Sequence, residues 1–192
     1  MPILNSPYSL VTDSTADPVT LAEAKSHLRV TSTGDNDYIT DLISVARRQV
    51  ETDSRRALFT QTWDRWLDCF PNDEIELASP NVASISAITY TATTGNTATV
   101  STSVYSLDAA NLPGYARLQY NQSWPTDVRT INKSVKVRFI AGSTATSAVE
   151  VEAKHAIKLL VADMYECRGS SIGETPDAYW NLIGMLRWGD YA

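Results

Sequence analysis

The chain has 192 residues, 43% of them hydrophobic, enough for one ordinary domain or two small ones with a real core, which excludes a disordered chain. No apolar run approaches the roughly 18 residues that span a bilayer, and Met1-Pro-Ile-Leu-Asn-Ser-Pro is not read as a signal peptide, so the expectation is a soluble, cytoplasmically made protein with no membrane partner. A net charge of −6, with no basic run beyond Arg47-Arg48 and Arg55-Arg56, argues against tight binding of DNA phosphates.

Residues 1–17, rich in Ser, Thr, Asp and Pro, read as an extended arm. Thr20-Leu-Ala-Glu23 is a capping-box pattern, and it predicts a first helix running to about Val30. Asp35 or Asn36 starts a second, in which Ile39, Leu42, Ile43, Ala46 and Val50 form the apolar stripe. Asp41, Arg47, Arg48 and Glu51 are expected on the charged outer face, and the helix should end near Arg55.

Beyond residue 57 the period changes to β-branched and aromatic alternation. Runs at 58–70, 75–77, 82–90, 97–100, 103–107, 115–120 and 135–139 read as short strands. Turns at Pro71-Asn-Asp73, Pro80-Asn81, Thr94-Gly-Asn96 and Pro113-Gly114 separate them. Their spacing predicts antiparallel hairpins in a small sandwich or barrel. A third long helix follows over about 149–168, with Ala153, Ile157, Leu160, Val161 and Met164 on one stripe and Gly169 beyond its end. Thr175-Pro176 then caps a last short helix closed by Gly189. The expected fold is α+β: a discontinuous helical bundle, about 18–56 and 149–189, with an inserted antiparallel β domain at about 58–142. Helices 35–55 and 149–168 are its expected packing pair.

The inventory for chemistry is thin. His27 and His155 are the only histidines, each on a predicted helix, and are read as surface residues. Cys69 and Cys167 sit in no Cys-x-x-Cys motif and are read as buried free thiols. No phosphate-cradling glycine loop, nucleophile elbow or clustered metal-ligand spacing occurs. No catalytic residue, metal or cofactor is therefore assigned. Trp63, Trp66 and Trp124 invite a stacking site for glycan or single strands, but β cores also need large side chains. Arg47, Arg48, Arg55 and Arg56 read as a solvated face or as inter-subunit partners for an acidic surface. Trp180, Leu186 and Trp188 either close the core or dock on another protein.

Several ordered segments resemble the head–tail adaptor (connector) proteins of long-tailed bacteriophages. These are Pro18-Val-Thr-Leu-Ala-Glu-Ala-Lys-Ser-His-Leu-Arg-Val30, Asp35-Asn-Asp-Tyr-Ile-Thr-Asp-Leu-Ile-Ser-Val-Ala-Arg-Arg-Gln-Val-Glu51 and Ala57-Leu-Phe-Thr-Gln-Thr-Trp63. Trp124-Pro125, Val135-Lys-Val-Arg-Phe-Ile-Ala-Gly142, Ile157-Lys-Leu-Leu-Val-Ala-Asp-Met-Tyr-Glu166 and Leu182-Ile-Gly-Met-Leu-Arg187 continue the set. The arm and the stretches 91–104 and 169–178 depart from the family's pattern.

The resemblance implies a structural virion protein of the phage neck, assembled from protein made in the host cytoplasm. It would form a ring with itself, twelvefold to match the portal protein. It would extend the channel through which double-stranded DNA passes without sequence-specific binding, and dock the stopper or tail-completion protein. The family's C-terminal region contacts the portal, which assigns that role here to Tyr179, Trp180, Leu182, Ile183, Leu186, Arg187 and Trp188. The alternatives are a stopper or terminator protein, against which the two capped N-terminal helices argue, and a ligand-binding β module.

Overall fold

The computed structural model describes residues 7–77, 81–111, 113–168 and 177–187. The expected Gly169, Thr175-Pro176 and Gly189 signals lie outside them. The chain divides into two compact units. One holds Met1–Asp13 and Thr60–Gly142, the other Ser14–Phe59 and Ser143–Ala192.

The second unit is helical. Helix α1 spans Leu21–Leu28, α2 Asn36–Ser54, α3 Val151–Glu166 and α4 Asp177–Leu186. The capping box forms as expected: the Glu23 amide donates to Thr20 Oγ1 at 3.2 Å, and the Thr20 amide to Glu23 Oε2 at 2.7 Å. Helix α1 stops two residues before Val30 because Arg29 turns left-handed, φ 57°. Helix α2 ends the same way on Arg55, φ 56°. Neither position carries the glycine that usually relieves this geometry.

The apolar stripes meet in one core. Ile39, Ile43, Ala46 and Val50 of α2 pack with Ala153, Ala156, Ile157 and Val161 of α3, and with Tyr179, Ile183 and Leu186 of α4. The expected pairing of the second and third helices is therefore present. It is tied at one end by Tyr165, whose hydroxyl donates to Asp35 Oδ2 at 2.7 Å. Arg168 pairs with Asp35 Oδ1 at 3.1 Å, its guanidinium 4.6 Å from the ring centroids of both Tyr38 and Tyr165. The Tyr165 hydrogen bond and then Arg168 hold the Asp35 carboxyl below its ordinary range. Asp35, expected as an N-cap, makes no side-chain cap bond to α2.

The first unit holds two antiparallel sheets. One runs β1-β2-β8-β4-β5, where β1 is Tyr8–Thr12, β2 Gln61–Leu67, β4 Val82–Thr91, β5 Thr97–Thr99 and β8 Val135–Ala141. The other runs β3-β7-β6, over Glu74–Leu77, Gly114–Leu118 and Tyr105–Asp108. Strand β8 is central and alternates cleanly: Val135, Val137, Phe139 and Ala141 are buried, with Lys136, Arg138 and Ile140 on the other face. Strand β4 pairs along it with two bulges. They explain the uneven spacing of Val82, Ile85, Ile88 and Tyr90: each is brought opposite a buried β8 residue, Ala141, Phe139, Val137 and Val135 respectively. The sheets approach closely at Gly114, where a Cβ would lie 3.1 Å from Val82 Cγ2. At the β4–β5 hairpin tip Gly95 takes φ +90°, as the turn signal required.

Three details differ from the sequence reading. Residues 8–12, read as part of an extended arm, pair with β2 as an edge strand. Arg47 and Glu51 are not on the solvent face of α2, because Asp17 lies over that side of the helix and pairs with Arg47. The cysteines are free, but Cys69 is exposed and Cys167 half-buried; Cys69 follows the end of β2, outside both sheets. No helix among the described residues is long and apolar enough to cross a membrane.

Candidate functional site

Helix α4 sorts the C-terminal candidates by face. Tyr179 is wholly buried, and its hydroxyl donates to Asp53 Oδ2 at 2.5 Å, an oxygen that also accepts from Gln49 Nε2 at 2.8 Å. Burial, then this carboxylate, push the phenol far above the ordinary tyrosine range. Ile183 and Leu186 are buried beside it and Leu182 is half-buried. These residues close the helical core. Trp180 and Arg187 face outward, Trp180 49% exposed, while Trp188 lies outside the described residues. Met185, 73% exposed, also points away from the core, about 140° round the helix from Trp180, and above Gly184 a Cβ would meet nothing within 4 Å. Met185 was not singled out by sequence. The signal was available: with Tyr179, Ile183 and Leu186 one turn apart and inside, a methionine two residues past Ile183 must point out.

The four arginines also separate. Arg47 is 3% exposed and bridges Asp17 Oδ1 and Glu51 Oε2, both at 2.8 Å. Glu51 in turn accepts the Leu58 amide at 2.9 Å, and Asp17 the Ser44 hydroxyl at 2.9 Å. Arg56 pairs with Glu150, just before α3. Arg48 and Arg55 are exposed. They lie on the solvent face of α2 with Asp37, Asp41 and Val45, the last 53% exposed.

The three tryptophans do not converge on one stacking surface. Trp124 is buried against Phe70, ring planes 3° apart at 5.1 Å, and its indole N–H donates to the Asp73 carbonyl at 3.1 Å. Trp63 and Trp66, three apart on a strand, point to opposite faces. Only Trp66 shares the outward face with Lys136, whose Nζ lies 5.5 Å from its ring centroid. On the same face Asp64, 7% exposed, accepts a two-pronged bond from Arg138 at 2.7 and 2.8 Å.

His27 and His155 do meet, edge to face with ring centroids 6.2 Å apart, and both are exposed. His27 lines a shallow hollow with Ala22, Glu23, Ser26 and Lys158. Partial burial, then the Lys158 and His155 charges, lower the basicity of His27. No group of three or more metal-ligating side chains occurs among the described residues.

The model of the phage gp6-like head–tail connector protein family matches residues 18–111. No curated protein matches the chain. Among solved structures, a chain from the neck of the empty gene transfer agent particle, computed with C6 symmetry, superposes with a TM-score of 0.78 at 21% identity. A chain from the virion of the native gene transfer agent gives 0.76 at 21%, and one from the native neck, computed with C12 symmetry, 0.71 at 23%. Each alignment covers 96% of this chain and 97% of the other. At such identities the likeness is one of fold, and it extends through both units.

Proposed function

We propose, from the premise that over residues 18–111 this chain is a member of the phage gp6-like head–tail connector family, that it is a structural component of the phage neck. In this reading it is the head–tail adaptor: a ring on the portal, twelvefold to match it, that lengthens the DNA channel and docks the stopper or tail. Its work is contact, not catalysis, and its place is the virion neck. The observation that carries the reading is the family match, supported by a fold shared end to end with chains of neck-bearing particles.

The helical unit supplies the contact surfaces. Portal binding is assigned to the outer face of α4, through Trp180 and Met185, with Tyr179, Ile183 and Leu186 holding that helix in place from beneath. A large aromatic and a flexible thioether, both exposed on α4 but about 140° apart round it, suit a partner surface that wraps the outside of the helix. Of the four arginines, the exposed Arg48 and Arg55 are assigned to the contact with an acidic surface of a neighbouring copy. The overall −6 charge suits a channel wall along which DNA slides.

The test is electron microscopy of DNA-filled heads carrying portal, incubated with the protein. A ring at the portal's outer face is expected. Trp180→Ala with Met185→Ala should abolish it while the helical circular dichroism stays intact. A protein that never binds portal-bearing heads would overturn the adaptor reading, and intact binding by the double variant would overturn the assignment to α4.

A further inference from the structure

Helices α1 and α3 pack together, and four basic side chains gather where they meet. On α3, Lys154 and Lys158 lie one turn apart, with His155 next to Lys154. From α1, His27 meets His155 edge to face and lines the hollow with Ala22, Glu23, Ser26 and Lys158. Positions 22, 23, 26 and 27 share one face of α1, so Ser26 and His27 open on the same space. Lys25 does not: its ammonium donates to the Ser32 carbonyl and to Asn36 Oδ1, at 2.7 and 2.8 Å. The donors of the hollow lack acceptors. Among the described residues, the side chains of Ser26, His27, Lys154, His155 and Lys158 make no hydrogen bond or ion pair. Glu23, the carboxylate in the lining, has Oε2 occupied by the Thr20 amide and hydroxyl, at 2.7 and 2.8 Å. Burial, then the charges of Lys158 and His155, oppose protonation of His27, and no described carboxylate offsets them. In a chain of net charge −6 this hollow is locally positive.

We propose that the hollow between α1 and α3 binds a phosphate group, held by the Lys158 ammonium, the Ser26 hydroxyl and the His27 imidazolium, with Lys154 and His155 adding positive charge at the rim. An anion there replaces the repulsion between Lys158 and His27 by attraction of both to a shared partner. Binding and protonation of His27 therefore favour each other, and the site strengthens as pH falls through the histidine range. Such a site is independent of the neck assignment. The phosphate can belong to the free ion or to a nucleic-acid backbone.

Proton NMR of the full chain tests it. His27 and His155 are the only histidines, so each imidazole Cε1 proton gives its own signal, assigned with His27→Gln and His155→Gln. At about pH 6.5, inorganic phosphate added to about 50 mM should move the His27 signal towards its protonated position along a saturable curve. Sodium chloride of equal ionic strength, which screens without bridging, should move it less and without saturation. Lys158→Gln should weaken the apparent phosphate affinity about fivefold. A short DNA duplex at equal phosphate concentration separates the sources: a saturable His27 response to the duplex assigns the site to a nucleic-acid backbone, and a response to inorganic phosphate alone assigns it to the free ion. A His27 signal that neither phosphate nor duplex moves beyond its shift in chloride would overturn the proposal. So would a phosphate response that Lys158→Gln leaves unchanged. Both side chains lie outside the helical core, and circular dichroism confirms that each variant is folded.

Discussion

Arg47 and Arg48 are adjacent and chemically identical, and they do unrelated things. Arg47 is closed off from water between Asp17 and Glu51. Arg47→Met would leave two carboxylates without that cation in a partly desolvated site. The expected loss is about 3 kcal/mol of unfolding free energy, measured as a lower urea midpoint at constant slope. Arg48→Met, at an exposed position, should cost less, about 1 kcal/mol or below. The same argument applies to Tyr179→Phe, which deletes one hydrogen bond from the buried ring to the half-buried Asp53 carboxylate. The expected cost is about 1–2 kcal/mol, with Tyr179→Ala costing about 3–5 kcal/mol for the lost ring. The sequence placed Arg47 on the outer face because the helix stripe is complete without it. Its partner Asp17 is 30 residues earlier, and no local period points to such a pair. Tyr179 was legible as an apolar position in a short helix, but its acceptor Asp53 lies 126 residues away and could not be read.

At the scale of elements, the helices were legible and the strands only partly so. Helix α1 was signalled by Thr20 and Glu23, and the bonds those residues make are the ones the motif requires. Thr20→Ala should therefore destabilise the protein by about 1 kcal/mol. The cap also gives a pH dependence. Bonds from the Thr20 amide, then its hydroxyl, lower the Glu23 carboxyl below its unfolded value of 4.5. Its contribution is complete above that value and is lost as pH falls through the lowered folded one. His27 adds to the same limb: its folded basicity is below the unfolded 6.5, so protonation below pH 6.5 favours the unfolded chain. His27→Gln should flatten the fall in melting temperature just below pH 6.5, and Glu23→Gln the fall below pH 4.5, in melts taken at half-unit steps. The strands resisted reading where pairing overrides period. Val82, Ile85, Ile88 and Tyr90 alternate only once the two bulges against β8 are known. Tyr8–Thr12 is flanked by proline, serine and threonine, and becomes a strand because β2 offers it a free edge.

For the whole molecule, the sequence read the α+β class from the change of period near residue 57 and its return near 149. The resemblance of ordered segments pointed to the same family as the model that matches residues 18–111. The candidate surfaces were legible by residue type, not by face: Trp180 was named together with buried Tyr179, and Met185 and Val45 were missed, because which side of a helix is covered depends on contacts far along the chain. The division into units is itself testable. The helical unit leaves the chain's path at Phe59 and resumes at Ser143, and those two residues are bridged, with the Ser143 amide donating to the Leu58 carbonyl at 3.2 Å. Arg56 and Glu150 pair just beyond them. Among the described residues, the hydrophobic core of this unit is drawn from Val19–Phe59 and Val149–Leu186. A chain of residues 14–59 joined to 143–192 by two or three glycines and serines thus closes a gap that is already short, at a small entropic cost. It should fold alone, with the helical signature of α1 to α4 in circular dichroism, dispersed amide resonances and one cooperative thermal transition. A joined chain that lacks cooperative melting would mean that the helical unit requires residues 60–142 to fold, and that the β region is part of one folding unit and not an insertion into another.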